Sequence, residues 1–572
     1  MKTVRAMLRS TLCLLLCAML LAGATSCKEK EESSQEPSNA SGDSKPSSGD
    51  SVPDYLNFDG ELPLVKEGEN LTLKIAVKAK ADSGDPEDVW MWAFVKEKMN
   101  INVEIEQTLE PDDYRALAFN SGNLPDVFLD MDITPVEMVS YGMEEKILIS
   151  LTPYINETIM PSLSGIYEEN PEWKERITCP DGNIYSLGLI SSPSDVGAMP
   201  RLFLNGTWLQ EAGMEIPTTL EAFTEMLQTF QSRGADITPI GGGYESVNPC
   251  VLLLSAFGYV TNDPQGLSPA LRNGKVVIPY GDKEVYGEYL RLMKDYYDKG
   301  YISQDFYTVD TTSVSGEIAA GKVGVIADPP HLHLKETFTE WPAVKPLTSE
   351  YSQTPVWYAS QGTITTGGFA VTDKCKYPEL ACRFADFFYC HMYYAQYGPM
   401  AGSDDTLGMV CGWKIDPSAS GYAVYDDFTN DPKYAGLTSN YTYRLAELNG
   451  WPSSSLGYEI GKYPEMFALQ GLEYEEKFDL TTGEGWYRAG VTDHLLPYAV
   501  MGYPQIAFYS QDAASKIADL KTVLDGYAET QSAQFITGAR SLDELDDYFR
   551  TLESMEFSQY LSYYEDYYES IN

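Results

Sequence analysis

The sequence predicts an α/β fold with at least one parallel sheet and more than one structural unit. Between residues 71 and 129, stretches that alternate like strands take turns with amphipathic stretches typical of helices. Strands joined through helices form parallel sheets, with the helices packed on their faces. A second alternation begins near residue 201, and 572 residues are more than one hydrophobic core usually organises.

The first alternation contributes strands and helices before residue 130. They are a strand at Leu71–Val77, a helix at Glu87–Met99, a strand at Ile101–Ile105, a helix around Tyr114–Ala118 and a strand at Val127–Leu129. The turn Ser121–Pro125, with its Gly, Asn and Pro, introduces the last strand.

That last strand ends where the chain becomes polar, at Asp130, Met131 and Asp132. In an open α/β sheet, ligands bind just past the carboxyl ends of the strands. We therefore predict that these three residues contact a ligand. An ordinary loop after a buried strand is the alternative interpretation.

The second alternation is followed by helices near the end of the chain. Its predicted elements are a strand at Leu202–Asn205, helices at Leu220–Gln231 and Val285–Lys299, strands at Lys322–Ala327 and Gly367–Thr372, and helices at Pro378–Phe388, Asp512–Thr530, Leu542–Leu552 and Glu556–Glu569. Residues 395–500 are rich in Gly, Tyr, Asp, Ser and Trp with weak periodicity, which indicates an inserted subdomain or a loop-rich region.

Another polar loop follows the predicted strand Lys322–Ala327. We predict that Asp328 and His331 in this loop face a ligand cleft. A metal site at His331 and His333 is the weaker alternative, because no third ligand lies nearby in sequence. No Cys-x-x-Cys pair occurs, and the Asp181–Leu187 turn lacks the alternating acidic ligands of a calcium loop. We expect no metal and no cofactor.

The N-terminal residues have the pattern of an export signal. Residues 1–9 are basic, residues 10–21 are mostly apolar, and small residues precede Cys27. This resembles a bacterial lipoprotein signal peptide (1–26), in which the cysteine becomes the lipidated N-terminus. An ordinary secretory signal with an incidental cysteine is the alternative. The following residues are rich in Ser, Glu, Pro and Gly, so we predict a lipid anchor and disordered tether over 27–70.

The net charge of the chain argues against nucleic acid as a partner. A net charge of -44 would be repelled by phosphate backbones, so we expect no nucleic-acid binding.

The residue content is compatible with a carbohydrate ligand. The chain contains 41 tyrosines, whose apolar face and polar tip suit carbohydrates and other hydrated ligands, although a Tyr-rich surface is the simpler explanation. No GxSxG or HExxH motif indicates a hydrolase.

Several short motifs occur in an order that resembles one family. They are SGNLPDV at 121–127, DGNIYSL at 181–187, GYISQDF at 300–306, GKVGVI at 321–326 and QFITG at 534–538. Together they resemble the extracellular solute-binding lipoproteins of carbohydrate ABC importers, in the long branch related to maltose-binding protein. The resemblance implies a type II periplasmic-binding-protein-like fold, with two discontinuous lobes joined by a hinge. We expect lobe one at 71–190 plus 366–500, and lobe two at 191–365 plus 501–572.

The resemblance also implies a function. A monomer anchored on the extracellular face of the bacterial cell membrane captures an oligosaccharide between its lobes and delivers it to the permease subunits of an ABC importer. No enzymatic chemistry is expected. A binder of peptides or other small solutes on the same scaffold, and an anchored polysaccharide-degrading enzyme, are the alternatives.

Related binders place an aromatic residue and acid/base residues directly after the strand that begins in the PDV motif. Here those positions hold Asp130, Met131 and Asp132, so the stacking ring must come from elsewhere. The candidates for this ring are Trp90, Trp357, Tyr358, Tyr503 and Trp451. Arg201, at the entry to the second lobe, is predicted to contact the ligand or to cap the cleft.

Overall fold

The described part of the chain contains two α/β cores. The computed structural model describes residues 53–57, 62–79, 85–86, 89–190, 202–334, 336–359, 364–390, 413–415, 423–425, 455–458, 480–481 and 483–571. None of the helices in these ranges has the length and apolar character that a membrane span requires.

The described strands, in chain order, are β1 (Thr72–Lys78), β2 (Asn102–Thr108), β3 (Val127–Leu129), β4 (Leu189–Ile190), β5 (Phe203–Leu204), β6 (Thr238–Ile240), β7 (Ala270–Arg272), β8 (Lys275–Val277), β9 (Val323–Ile326), β10 (Trp357–Ala359), β11 (Phe369–Val371), β12 (Trp413–Ile415), β13 (Ala423–Tyr425), β14 (Gly457–Tyr458) and β15 (Ala499–Met501). The α-helices are α1 (Trp90–Lys98), α2 (Pro111–Ser121), α3 (Pro135–Glu137), α4 (Pro161–Glu169), α5 (Pro171–Ile177), α6 (Gly206–Ala212), α7 (Leu220–Gln231), α8 (Cys250–Ala256), α9 (Tyr286–Asp298), α10 (Thr311–Ala319), α11 (Pro330–His333), α12 (Pro378–Phe387), α13 (Gly483–His494), α14 (Gln511–Thr537), α15 (Leu545–Ser554) and α16 (Phe557–Ser570).

The first core is built on a four-stranded sheet with the order β11-β3-β1-β2. Strand β1 pairs in parallel with β2 and β3, while β11 runs antiparallel to β3. Alternate residues serve opposite faces: Ile75 and Val127 enter one hydrophobic cluster, and Ala76 and Phe128 enter another. Because both of its faces are covered, the inner strand β3 is apolar throughout, as is usual for buried strands of parallel sheets. The predicted strand Val127–Leu129 is confirmed.

Residues before the first sheet strand also belong to this core. Leu56, Leu64 and Val65 have at most 1% of their surface exposed, and Leu56 forms an antiparallel bridge with Val65. The predicted tether is therefore wrong at its C-terminal end, since these residues before 71 are folded. The short apolar stretch 62–65 did not reveal this packing in the sequence, because its neighbourhood is built by distant residues: Val65 N–H donates to Met99 O, and Tyr55 packs against Tyr377.

The second core surrounds a three-stranded sheet with the order β5-β9-β6. Strand β9 is fully buried and approaches α6 and α7 so closely that a Cβ on Gly324 would lie 2.3 Å from the Phe230 ring. Helix α7 covers Leu220–Gln231 as predicted, and the Thr219 hydroxyl caps it by accepting the Ala222 N–H at 3.1 Å.

Helix α13 packs in the second core, whereas we expected it in the first. The boundaries above assign residues up to 500 to lobe one, but Tyr487, Val491 and Leu495 of α13 and the turn after it are buried in the second core. Strand β15 follows and pairs in parallel with β10. The correction arises because residues 395–500 have no periodicity that marks where the chain crosses between cores.

The chain passes between the two cores more than once. The first core contains buried residues between Leu56 and Ile190, again between Ile364 and Tyr458, and at Phe508. The second contains buried residues from Leu202 to Tyr358 and from Tyr487 to Tyr564. Both cores are therefore discontinuous in sequence.

Candidate functional site

A polar surface lies at the carboxyl ends of two neighbouring parallel strands, β1 and β3. The last residue of β1 is Lys78, and Asp130 follows β3 directly. The register pairs Val77 with Leu129, so the two strand ends are adjacent. The Lys78 Nζ lies 2.7 Å from Asp132 Oδ2, and the two side chains are 43% and 54% exposed. An ammonium group and a carboxylate are thus held together where ligands of such sheets bind.

The segment Asp130–Asp132, here called the DMD turn, has an uncommon backbone. Both aspartates have positive φ, 52° for Asp130 and 55° for Asp132. Such conformations cost on the order of 1 kcal/mol for a non-glycine residue and persist only where surrounding contacts impose them. Two backbone hydrogen bonds hold this turn, from Asp130 N–H to Gly368 O at 2.7 Å and from Ile133 N–H to Gly367 O at 3.1 Å.

The residue between the aspartates points into the protein. Met131 has no exposed surface and belongs to the cluster that includes Phe128, Ile133 and Tyr185. The prediction that Met131 contacts a ligand is therefore wrong for this conformation, because a ligand at the surface cannot contact a fully buried thioether. Asp130 is partly exposed and Asp132 is more so.

The electrostatics of the surface are dominated by its carboxylates. The hydrogen bond to Asp132 raises the pKa of Lys78, and the charges of Asp132, Asp130 and Asp112 act in the same direction. Lys78 therefore stays protonated at neutral pH. The surface offers oxygen acceptors and one ammonium donor, which match the hydroxyl groups of a polar ligand.

The predicted loop of the second core is partly covered by a helix. Asp328, directly after β9, lies 2.8 Å from Nε2 of His333. His331 packs against α13, with its ring centroid 6.0 Å from that of Tyr487, and a Cβ on Gly483 would lie 2.2 Å from the His331 Cβ. In the described part of the chain, no group of three His, Cys, Asp or Glu side chains is arranged to hold a metal ion.

Two predicted stacking residues are core residues. Trp357 is 1% exposed and Tyr358 is 6% exposed, both within β10. The Tyr358 hydroxyl accepts a hydrogen bond from Gln505 Nε2 at 2.8 Å, and its ring lies against Gly502. Neither ring presents a face to solvent, so the expectation that either stacks on a ligand is corrected. An apolar aromatic pair in sequence does not distinguish a buried strand from a ligand platform.

Tyr503 belongs to a cluster of tyrosines at the C-terminus. Its hydroxyl donates to Tyr564 O at 3.1 Å, and its ring stacks on Tyr568 with centroids 6.1 Å apart. This cluster joins the segment after β15 to α16. Trp90 is the first residue of α1. The predicted residues Cys27, Arg201 and Trp451 lie outside the described residues.

Two residues that form or support this surface were missed in the sequence, the exposed Lys78 and the buried Arg115. Lys78 directly follows the predicted strand Leu71–Val77, as Asp130 follows the predicted strand Val127–Leu129, so the same strand-end rule could have found it. Arg115 is buried on α2, with 3% of its surface exposed, and its Nη1 donates a hydrogen bond to Met131 O. No local sequence signal distinguishes this arginine from one on a solvated helix face.

A separate cavity of 830 Å³ lies away from the strand ends. It is bordered by the β7–β8 hairpin, residues 351–356, β15 and the C-terminal residues Tyr568 and Ile571. None of the residues of the DMD turn lines it.

Comparison with known proteins identifies the family. The family model described as bacterial extracellular solute-binding protein matches residues 79–390. The chain is 24% identical over 541 residues to the fructooligosaccharide ABC transporter substrate-binding protein FusA of Streptococcus pneumoniae serotype 4, covering 91% of this chain and 93% of that protein. It is also 28% identical over 137 residues, 22% of this chain and 26% of the relative, to the lipoprotein LipO of Bacillus subtilis.

Solved structures show the same fold. The structure of FusA in complex with kestose has a TM-score of 0.62 at 21% identity, covering 87% of this chain and 99% of that chain. A human-milk-oligosaccharide (HMO) binding solute-binding protein from Bifidobacterium longum infantis has a TM-score of 0.66 at 17% identity, with the same coverages of 87% and 99%. The predicted two-lobed α/β fold of type II is confirmed. The chain belongs to the bacterial extracellular solute-binding protein family, as its motifs predicted.

Proposed function

We propose that this chain captures an oligosaccharide between its two lobes and delivers it to the permease subunits of an ABC importer. The lobes correspond to the two cores, with α13 assigned to the second. The observation that carries the proposal is the polar surface at the ends of β1 and β3 in a member of a solute-binding family. The similarity to FusA along most of both chains supports an oligosaccharide as the ligand.

The chemistry of the DMD turn fits sugar hydroxyls. Carboxylates of Asp130 and Asp132 accept hydrogen bonds from hydroxyl groups, and Lys78 donates to hydroxyl oxygens. Such charge-assisted hydrogen bonds are roughly twice as strong as neutral ones. The proposal requires binding but no covalent step, so enzymatic activity is not part of it. Closure of the lobes follows if the ligand contacts both at once.

The proposal also places the protein on the outer face of the cell membrane, held by a lipid on Cys27. The basic and apolar residues before Cys27 and the partial likeness to a lipoprotein support this. Replacing Cys27 by serine should release the protein from the membrane fraction of the producing cells. Retention of the C27S variant in that fraction would contradict lipid anchoring.

Titration calorimetry with kestose, larger fructooligosaccharides and a panel of other glycans tests the ligand class. Ligand at a hundred times its Kd should also raise the stability by about 2.7 kcal/mol in thermal denaturation. Absence of binding to every glycan, together with binding to oligopeptides, would overturn the oligosaccharide assignment. Release of shortened glycans would show enzymatic activity instead.

A matched pair of variants tests the site. Asp132→Asn should weaken the affinity for the responding glycan about tenfold or more, because a charged hydrogen bond is lost. Asp373→Asn is the control: it also removes an exposed carboxylate paired with a lysine at 2.7 Å. Because β11 runs antiparallel to β3, Asp373 lies at the opposite end of the sheet. Equal affinities for the two variants would exclude the DMD turn from the site.

A further inference from the structure

We propose that Arg115 is the positioning residue of the DMD turn, holding Asp130 and Asp132 in the conformation that binds ligand. The inference rests on the proposed function only in its ligand-binding part. Its structural part concerns the turn itself and is testable without ligand.

The Arg115 guanidinium joins three segments of the first lobe. Its Nη1 donates to the Met131 carbonyl oxygen in the middle of the turn. Its Nε donates to both carboxylate oxygens of Glu137, at 2.9 Å and 3.1 Å, and Nη2 lies 3.0 Å from Asp112 on the same helix. Asp112 is 87% exposed, so Glu137, at 18%, is the stronger partner. One planar cation thus connects α2, the turn and the start of α3.

Glu137 is itself fixed, which makes the connection rigid. Its Oε2 accepts hydrogen bonds from the Thr134 N–H at 2.8 Å and the Thr134 hydroxyl at 2.9 Å, and the Thr134 hydroxyl accepts the Glu137 N–H at 3.2 Å. This capping box sets the first turn of α3 only three residues after the DMD turn. Arg115 therefore binds a carboxylate whose position is already determined by the backbone.

The turn needs such support because its backbone is strained. Met131 lies between two left-handed residues, and its carbonyl oxygen forms a buried hydrogen bond with Arg115. Without that donor, the buried oxygen would remain unpaired, which costs roughly 1–3 kcal/mol. The turn would relieve this by rotating its peptide groups, and the side chains of Asp130 and Asp132 would move with them.

Burial separates this role from direct ligand contact. The Arg115 side chain is 4% exposed, whereas Lys78 and Asp132 are 43% and 54% exposed. Lysine cannot replace Arg115, because a single ammonium group cannot match the forked geometry towards Met131 O and both oxygens of Glu137. Arg115→Lys keeps the charge and removes this geometry, so it is the informative substitution.

Hydrogen exchange of the full-length, ligand-free protein tests the structural part. In Arg115→Lys, the amides of Asp130 and Ile133, both hydrogen-bonded in the turn, should exchange about tenfold faster or more. The control is Arg383→Lys, which alters another buried arginine of the same lobe, paired with Asp386 at 3.3 Å. It should leave these two amides unchanged. Unchanged exchange of the turn in R115K, or equal acceleration in R383K, would overturn the proposal.

Glu137→Gln is the second variant if R115K does not fold. It preserves the side-chain shape and weakens the guanidinium contact, so turn exchange should accelerate in the same direction by a smaller factor. Protection equal to that of the wild type would overturn the proposal as well.

The ligand-binding part is tested by calorimetry with kestose, or with whichever glycan the wild type binds. If Arg115 acts through the turn, R115K and Asp132→Asn should each weaken affinity, and the double variant should bind about as weakly as the poorer single variant. Additive losses would show that Arg115 acts elsewhere. Absence of glycan binding by the wild type would defeat the proposed function, while the exchange result would still decide the role of Arg115.

Discussion

Replacing Asp386 by asparagine should remove a pH-dependent part of the stability of the first core. Asp386 lies on α12 with 2% of its surface exposed. Its Oδ1 accepts the Leu163 N–H at 2.9 Å and its Oδ2 accepts the Ser162 N–H at 3.2 Å, so it supplies acceptors to the first turn of α4. Arg383 Nη1 lies 3.3 Å from the same carboxylate.

Burial raises the pKa of Asp386 from 3.8 to about 6, although the amide donors and Arg383 act in the opposite direction. The folded protein thus holds the proton more tightly than the unfolded chain. The contribution of Asp386 to the free energy of unfolding is fully present below about pH 4 and is lost as the pH rises through 6. The difference between a pKa of 3.8 and one of about 6 corresponds to roughly 3 kcal/mol of folding free energy.

Asparagine does not titrate, so the stability of the wild type minus that of D386N should fall by this amount between about pH 4 and 7. Calorimetry over this range measures the difference, and exchange of the Ser162 and Leu163 amides assigns it to α4. Asp310→Asn, at the exposed N-cap of α10, is a control of opposite sign. The Ser313 N–H lowers the pKa of Asp310, so its contribution is lost as the pH falls. A D386N difference that is independent of pH would refute the reasoning.

Two further predictions concern packing and thiol chemistry. Gly281→Ala should destabilise the second core by about 1–3 kcal/mol, because the new Cβ atom would lie 1.9 Å from the Phe557 ring. Gly316→Ala should instead stabilise α10 by about 0.5–1 kcal/mol, because a Cβ at this position has no atom within 4 Å. Thermal denaturation of both variants checks the pair, and equal shifts would contradict the packing. Burial raises the pKa of the Cys250 thiol to about 12 and that of Cys382 well above its ordinary value, so neither should react with a thiol reagent near pH 8 until the protein unfolds. Labelling at either position in the native state would show that its core opens.

Local chemistry explains why part of the fold was predictable. Helix α7 has an N-cap threonine, an acidic first turn and an apolar face, and its bounds were predicted to the residue. The long helix α14 was predicted to end at residue 530 but continues to Thr537, where Gly538 with φ of 79° ends it. Gly538 is a helix-ending signal in the sequence, but the apolar periodicity is weak between residues 530 and 537, so the last two turns of α14 were not predicted.

Long-range packing explains what the sequence did not reveal. The burial of Leu56 and Val65 depends on neighbours brought by the first core, and α13 is assigned to the second core by contacts with residues more than a hundred positions earlier. Neither leaves a periodic trace in the sequence. The same holds for Trp357 and Tyr358, whose strand pairs with β15 about 140 residues later.

The DMD turn shows the limit of the strand-end rule most clearly. The rule pointed to the polar residues that follow β3, because the end of an apolar strand is a local signal. It could not tell which of three consecutive residues would face outwards, because two left-handed aspartates break the strand alternation. That conformation depends on Arg115 and on Gly367 and Gly368, which come from other elements. With Met131 turned inwards, the turn presents only its two carboxylate side chains, so under the proposed function a ring that stacks on a sugar must come from a different segment of the chain.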